Sequence, residues 1–450
     1  MIRIGSGAGF SGDRLEPAVL LAEKGNLDYL VLECLAERTI ALAQKRKSQN
    51  PLLGYDPLLE KRMERLLPVI CKNKTRIITN MGAANPIGAA EKIVEIAQRL
   101  GISIKVAAVT GDDVLKHIDS DDRILETNEP VSSVQHVISA NAYLGVEAVL
   151  PALETGADVI ITGRIADPSL FLAPMIHHFG WSVDNVDLLA RGTIIGHLLE
   201  CGGQLAGGYF ADPGKKDIPN FAELGFPFAE VESDGSAVIS KIEGTGGLIN
   251  LATTKEQLLY EVMNPYEYIT PDVIADFTSV YIREISPNRV EIRGGRGKKK
   301  PDTLKVSVGY QAGFIGEGEI SYAGSNALGR AKLAGEVIYE RLKEEVQDLR
   351  IDYIGVSSVH RTTYGQSLPY EVRLRVAGRA AALEEAVKVG EEVEALYTNG
   401  PAGGGGARKY TNEVVGIVST LIPRNKIDVQ ITIRESVKSQ LTHHLSDLTV

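Results

Sequence analysis

The sequence predicts an α/β fold, with a mostly parallel, Rossmann-like sheet flanked by helices in the N-terminal half and an α+β lobe in the C-terminal half. In the first 215 residues, short β-branched runs alternate with amphipathic helical stretches, which is typical of β–α–β units. From about Phe226 onward, turn sequences such as Asp234-Gly235 separate short strand-like runs. Such turns favour antiparallel pairing, so the two halves are expected to differ in architecture.

The parallel sheet is expected to contain five strands, each a short apolar run bounded by glycine or polar residues. Their predicted ranges are Ile2–Ile4, Tyr29–Leu32, Arg76–Thr79, Ile104–Val109 and Val159–Thr162. Helices are expected between the strands, including Pro17–Lys24 and Pro86–Leu100. Asn85 is expected to cap the second of these helices, because Asn is a favoured N-cap residue and Pro86 suits the first turn.

The second half contains two predicted strand–helix pairs and a last strand at Asp428–Ile433. The pairs are Leu304–Tyr310 with Ala327–Lys343, and Tyr370–Val376 with Ala380–Tyr397. Because single hydrophobic cores stop growing at roughly 250–300 residues, a chain of 450 residues is expected to form two domains. We place the active-site domain at residues 1–215 and a domain with glycine-rich loops at residues 216–450.

Composition and charge limit the classes of partner. The formal net charge is −10, which disfavours nucleic acid or an anionic membrane as the main partner. No apolar run reaches the roughly 18 residues that span a bilayer, and the N-terminus lacks the pattern of a secretory signal. A cytoplasmic protein is therefore expected. The three cysteines form no CxxC pair, so neither a disulfide framework nor a structural zinc site is expected.

Candidate catalytic residues follow the predicted strands, since the carboxyl ends of parallel strands meet at one edge of the sheet. Carboxylates transfer protons, and an arginine binds a carboxylate or a carbonyl oxygen through its planar donors. An Asp or Asn at such a place also commonly caps the next helix, so capping is the alternative for each. The candidate catalytic residues are Glu33, Asp112, Arg164 and Asp167.

Candidate substrate-binding residues lie in glycine-rich loops and at further strand ends. A glycine loop is expected at Gly5–Arg14, where backbone N–H groups can approach a phosphate or carboxylate closely. A second glycine run, in Asn399–Arg408, is expected to be an active-site or interface loop. The candidate substrate-binding residues are Gly7, Gly9, Gly12, Asn80, Asn141, Tyr143, Gly404 and Gly405.

Gly7–Gly12 also matches the GxGxxG pattern of dinucleotide-binding loops, and Glu33 follows at about the required distance. A nicotinamide-dependent oxidoreductase is therefore one alternative function. Against it, Asp13 places a negative charge where the pyrophosphate would approach, and Pro17 indicates a late helix start.

No residue spacing requires a metal ion. A divalent cation bound by the carboxylates of Asp112, Asp113 and Asp167 is an alternative, because such cations prefer oxygen ligands. The basic cluster Arg293–Lys300 is a candidate for contacts with the phosphates of coenzyme A, with a solvated hairpin loop as the alternative. The residues leave the cofactor open: the alternatives are no cofactor, or coenzyme A as part of the substrate.

Several long motifs resemble the acyclic terpene utilisation AtuA family, formerly a domain of unknown function. The motifs include GSGAGFSGDR (Gly5–Arg14), NMGAANP (Asn80–Pro86), ANAYLG (Ala140–Gly145), TGRIADPSL (Thr162–Leu170), GGQLAGGYFADP (Gly202–Pro213), MNPYEYITPDV (Met263–Val273) and the AGGGGAR loop. The resemblance implies a role in the catabolism of branched acyl chains activated as coenzyme A thioesters. It implies no particular catalytic residue.

The residues and the resemblance together favour an enzyme of branched-chain or acyclic terpenoid acid catabolism. It would act on a carboxylic acid or its acyl-CoA thioester by acid/base chemistry of the lyase or hydratase type. The alternative from another class is a non-catalytic binding or scaffold subunit of an acyl-CoA pathway. We expect a small-molecule ligand, no nucleic acid or membrane partner, and a homo-oligomer, because large soluble enzymes commonly form symmetric assemblies.

Overall fold

The computed structural model describes residues 1–362 and 369–436 of the chain. The chain forms two compact units. The first contains Met1–Ser133, Ile138–Val308 and the described residues from Ile417 onward, and the second contains Val134–Val137 and Gly309–Gly416. The expected domain division after residue 215 stays a prediction.

The strands of the described residues are numbered in chain order. They are β1 (Ile2–Ala8), β2 (Tyr29–Leu32), β3 (Arg76–Thr79), β4 (Ile104–Thr110), β5 (Val137–Ala142), β6 (Val159–Thr162), β7 (Pro227–Val231), β8 (Ala237–Lys241), β9 (Tyr268–Ile269), β10 (Ile274–Asp276), β11 (Tyr281–Ser286), β12 (Arg289–Arg293), β13 (Arg296–Lys298), β14 (Thr303–Ala323), β15 (Gln347–Ile354), β16 (Glu371–Ala380), β17 (Gly405–Pro423) and β18 (Gln430–Ser436).

The helices of the described residues are numbered in the same way. They are α1 (Glu16–Lys24), α2 (Glu37–Gln49), α3 (Leu59–Asn73), α4 (Pro86–Arg99), α5 (Val146–Glu154), α6 (Asp167–Phe179), α7 (Val186–Glu200), α8 (Leu251–Leu259), α9 (Ala327–Leu342) and α10 (Leu383–Asn399). None of the helices in these residues is both long and apolar enough to cross a membrane.

A ten-stranded sheet lies at the centre of the first unit, in the order β11-β12-β8-β7-β1-β2-β3-β6-β4-β18. The five strands expected from the sequence, β1, β2, β3, β6 and β4, are parallel neighbours. The strands on either side of this group pair antiparallel. The fold is therefore mixed α/β, as expected, while the Rossmann-like arrangement and the α+β lobe stay predictions.

The parallel strands are buried on both faces, which explains their continuous apolar sequences. All residues of β2 and β6 are buried. On one side the sheet packs against apolar faces of α3 and α4, where Leu66 and Ile93 are fully buried. The predicted cap of α4 is present, since the Asn85 side chain accepts the Gly88 N–H at 3.1 Å.

The second unit is built on the antiparallel pair β14 and β16, with β15 pairing antiparallel to the outer side of β16. Helices α9 and α10 pack against β16. Ile320, Ile338, Leu374 and Val393 are fully buried between these elements. The expected strand–helix pairs of this segment are thus present, with β14 much longer than the predicted Leu304–Tyr310.

Strand β1 differs from the prediction, because it continues to Ala8 rather than ending at Ile4. A Cβ atom on Gly7 would lie 3.1 Å from side-chain atoms of Leu30 and Leu32. The glycine therefore lets the neighbouring strand pack closely, and the loop expected to begin at Gly5 begins after Ala8.

Candidate active site

A cavity of about 690 Å³ opens in the first unit, where loops follow β1, β2 and β6. Its volume falls in the range of small-molecule sites, roughly 300–1,000 Å³. Of the candidates named from the sequence, Gly9, Glu33, Tyr143, Arg164 and Asp167 line it. Further lining residues with polar or ionisable groups include Asp13, Arg14, Glu37, Glu200, Gln204, Tyr260 and Glu261.

Arg164 is the buried cation of the cavity, with only 2% of its side chain exposed. It follows β6 by two residues, and its Nη2 donates to Oδ1 of Asp167 at 2.6 Å. Its guanidinium carbon lies 4.1 Å from the centroid of the Tyr143 ring, within the range of a cation–π interaction. Its Nε and Nη1 atoms are buried and have no hydrogen-bond partner among the described residues.

Asp167 is the first residue of α6, and it does not cap that helix. The N-cap position is Ala166, which provides no side-chain hydrogen bond. The Asp167 carboxylate instead accepts from Arg164, and about a third of the side chain is exposed. Asp167 therefore orients the guanidinium at the wall of the cavity.

Glu33 follows β2 and is 7% exposed. Its Oε1 accepts the Leu35 N–H at 2.8 Å and an N–H of the Asn80 side chain at 3.0 Å. The Asn80 Oδ1 in turn accepts the Cys34 N–H at 2.7 Å, so Asn80 fixes this loop without lining the cavity. Burial, together with the negative charge of Asp167, raises the pKa of Glu33 well above its usual range.

Asp112 and Asn141 lie behind the Arg164 loop and do not line the cavity. Oδ2 of Asp112 accepts the backbone N–H of Arg164 and the side-chain N–H of Asn141, each at 2.9 Å. Burial raises the pKa of Asp112 to about 6. Both residues thus support the loop that carries Arg164.

The hydroxyl of Tyr143 donates to Oε1 of Glu37, and Lys305 Nζ lies 3.4 Å from the same oxygen. Burial opposes ionisation of Glu37, but the Tyr143 hydrogen bond and the charges of Arg164 and Lys305 lower its pKa to about 2. Tyr143 therefore contacts the Arg164 guanidinium with its ring and the ionised Glu37 carboxylate with its hydroxyl.

Gly9 permits a close approach between the first loop and the end of α7. A Cβ atom at Gly9 would lie 2.4 Å from the carbonyl carbon of Cys201. The Gly9 N–H already donates to Oδ2 of Asp13 at 2.9 Å. Gly7 lies in β1, and Gly12 lies against the ring of Phe10, and neither of them lines the cavity.

Gly404 and Gly405 belong to the second unit. They are not among the residues that line this cavity. A Cβ atom on Gly404 would meet Ile320 at 2.9 Å, whereas one on Gly405 would meet nothing within 4 Å. A larger residue at position 404 would therefore clash with Ile320.

Sequence reasoning did not assign Glu200, which ends α7 and lines the cavity. Its Oε1 lies 2.9 Å from Nδ1 of His197, and its Oε2 has no partner among the described residues. Burial and the charges of Asp167 and Glu261 raise the pKa of Glu200 well above its usual range. Burial lowers the pKa of His197 to about 4, which favours a neutral imidazole beside the Glu200 carboxyl group.

The described residues contain no group of three or more His, Cys, Asp or Glu side chains placed to hold a metal ion. Asp112 is engaged with Arg164 and Asn141, and Asp113 accepts from Gln44 at 3.1 Å. The described residues therefore do not form the divalent-cation site that was considered at Asp112, Asp113 and Asp167.

Comparisons with known proteins identify the family. No curated protein and no solved structure matches the chain. A family model described as acyclic terpene utilisation family protein AtuA matches residues 2–433, nearly the whole length. The resemblance seen in the motifs is thereby confirmed, and the chain belongs to the acyclic terpene utilisation AtuA family.

Proposed function

We propose that the protein is an enzyme of branched-chain or acyclic terpenoid acid catabolism, which binds a carboxylic acid or its coenzyme A thioester at Arg164. The reaction is of the lyase or hydratase type and uses buried carboxyl groups as acid and base. One observation carries the proposal: a buried guanidinium with two unpaired nitrogen atoms lies in a cavity lined by three carboxyl groups of raised pKa, those of Glu33, Asp167 and Glu200.

The unpaired donors of Arg164 support binding of an anionic or carbonyl oxygen. Leaving a buried donor without a partner costs about 1–3 kcal/mol, and more for a charged group. A ligand carboxylate or thioester oxygen would satisfy these atoms, because the planar guanidinium matches such oxygens. Asp167 and the Tyr143 ring hold the guanidinium in place for that contact.

Glu33 and Glu200 are the proposed proton donors and acceptors. A carboxyl group whose pKa is raised keeps its proton to higher pH, so it can donate that proton to a leaving oxygen or to an enolate carbon, and the resulting carboxylate then takes a proton back. Groups with raised pKa cluster at catalytic sites more than at simple recognition sites. This favours an enzyme over a non-catalytic binding or scaffold subunit.

The nicotinamide alternative has less support. The Gly9 N–H, which a bound phosphate would need, already donates to Asp13. Gly7 lies within β1, and α1 begins only at Glu16. A pyrophosphate would therefore lack the free amides and the helix N-terminus that hold it in dinucleotide-binding folds.

We further propose that the protein acts as a cytoplasmic homo-oligomer on a small acid or acyl-CoA, without nucleic acid or membrane as a partner. Its acidic net charge of −10 supports the exclusion of anionic polymers. Light scattering tests the assembly, with a mass well above the 48.5 kDa of one chain expected in solution.

The test of the function uses 3-methylbut-2-enoate and 3-methylbut-2-enoyl-CoA, whose double bonds can add water, each incubated with the protein and analysed for products by mass spectrometry. We expect conversion of one of them by the wild type, and loss of roughly 10²-fold or more in rate for Glu33→Gln, the scale of a positioned acid or base. The exposed Glu95→Gln is the matched control. Binding without conversion of either compound would favour the scaffold alternative.

A further inference from the structure

A second cavity, of about 380 Å³, lies beside the first. Tyr143 and Asp167 line both cavities, so these two side chains form a shared wall. All residues that line the second cavity belong to the first unit. A ligand bound at Arg164 would therefore lie next to the side chains that separate the two cavities.

The lining of the second cavity contains fewer acidic and basic side chains than that of the first, namely Asp167 and Lys305. It includes Ile269, Leu304, Leu421 and three prolines. Ile269 is 65% exposed and Leu421 is 42% exposed, so apolar surface faces the opening. Burying that surface under a hydrocarbon would be favourable at roughly 25 cal/mol per Å².

Two polar side chains of this lining already have partners within the protein. The Thr270 hydroxyl donates to the Val273 carbonyl at 2.8 Å, and it accepts the backbone N–H groups of Asp272 and Val273. Lys305 pairs with Glu37 at 3.4 Å. A hydrocarbon chain packing against the apolar residues of this lining requires no further polar partner.

We propose that the second cavity is the binding subsite for the hydrocarbon chain of a carboxylic acid ligand whose carboxylate end lies at Arg164. The chain passes the shared wall of Tyr143 and Asp167 and packs against Ile269, Leu304 and Leu421. This inference rests on the proposed function and specifies its substrate class as an acid or thioester with an extended apolar chain.

Calorimetric titration with butanoate, hexanoate, octanoate and decanoate tests the subsite. In the wild type, affinity should increase by about fourfold for each methylene that becomes buried. In Ile269→Glu, a charge is placed in the apolar lining at an exposed position. This variant should bind butanoate like the wild type but lose the gain with chain length. Ile285→Glu, which is also exposed but lines neither cavity, should behave like the wild type.

The outcomes separate the two proposals. Binding of the acids without any dependence on chain length, or the same dependence in Ile269→Glu and the wild type, would overturn the subsite alone. The same titration is made with free coenzyme A and with the coenzyme A thioesters of these acids. If Ile269→Glu loses affinity equally for free coenzyme A and for every thioester, the second cavity holds the pantetheine arm, and the hydrocarbon subsite is overturned as well. Failure of the wild type to bind any of these acids or their coenzyme A thioesters would contradict the proposed function, and with it the hydrocarbon chain as the occupant of the second cavity.

Discussion

Arg164 and Asp167 form an ion pair within one short loop, with Nη2 and Oδ1 2.6 Å apart. The pair is available because the N-cap of α6 is Ala166, so the Asp167 carboxylate is not used to cap the helix. The same loop is held from behind by Asp112, which accepts the Arg164 backbone N–H. The segment after β6 thus supplies both the cation of the cavity and its counter-ion, and Asp112, which follows β4, holds that segment in place.

Asp167→Asn tests whether this ion pair works on the substrate. Asparagine keeps a side-chain oxygen that can accept from Arg164, so the variant should stay folded, with a loss of stability in urea unfolding because the buried guanidinium loses its counter-ion. Turnover of the substrate should fall by roughly 10²-fold, because the guanidinium loses the group that orients it. Asp184→Asn, at an exposed position, is the control. Normal turnover in Asp167→Asn would remove this residue from the mechanism.

Gly9→Ala tests the close approach between the first loop and the end of α7. The new Cβ atom would lie 2.4 Å from a backbone atom of Cys201, which cannot move as a flexible side chain can. We expect a loss of about 1–3 kcal/mol in unfolding free energy, as for other overpacked sites. Gly405→Ala, where nothing lies within 4 Å, should leave the thermal midpoint unchanged. Equal stability of the two variants would contradict this packing.

Asp112→Asn should change the pH dependence of stability. Burial raises the pKa of Asp112 from its ordinary 3.8 to about 6, so the folded state binds its proton more tightly than the unfolded chain does. The stability contributed by this group is full below 3.8 and is lost as the pH rises through 6. Asparagine does not titrate, so the variant should gain stability relative to the wild type between acid and neutral pH.

Urea unfolding of both proteins at acid and neutral pH checks this prediction. Asp121→Asn, at an exposed position, is the matched control and should track the wild type at both pH values. A stability difference between Asp112→Asn and the wild type that is the same at both pH values would show that the pKa of Asp112 is not raised.

Sequence reasoning located the ends of β2 and β6, and this was enough to bring Glu33, Arg164 and Asp167 to one cavity. The reason is geometric, since parallel strands direct the residues that follow them to the same edge of the sheet. That a residue follows a strand does not determine whether its side chain lines the cavity or makes hydrogen bonds that support a neighbouring loop. Asp112 and Asn141 therefore took supporting positions that the pattern did not reveal.

Glu200 and Glu261 could not be predicted for a different reason. Neither residue directly follows a strand of the predicted parallel sheet, and they reach the cavity only through the packing of α7 and the segment after α8. The signal nearest to Glu200 was the helix running into the turn at Gly202-Gly203. The close approach of that turn to Gly9, which brings Glu200 to the cavity, depends on tertiary structure.

The most direct test of the central claim is the affinity for 3-methylbutanoate of the wild type and Arg164→Lys, measured by calorimetry at neutral pH. Lysine keeps the charge but lacks the planar donors, so we predict a loss of about 1.5–3 kcal/mol, the usual scale of a hydrogen bond to a charged group. The exposed Arg65→Lys should bind like the wild type. Unchanged affinity in a folded Arg164→Lys protein would contradict the assignment of Arg164 as the ligand-binding cation.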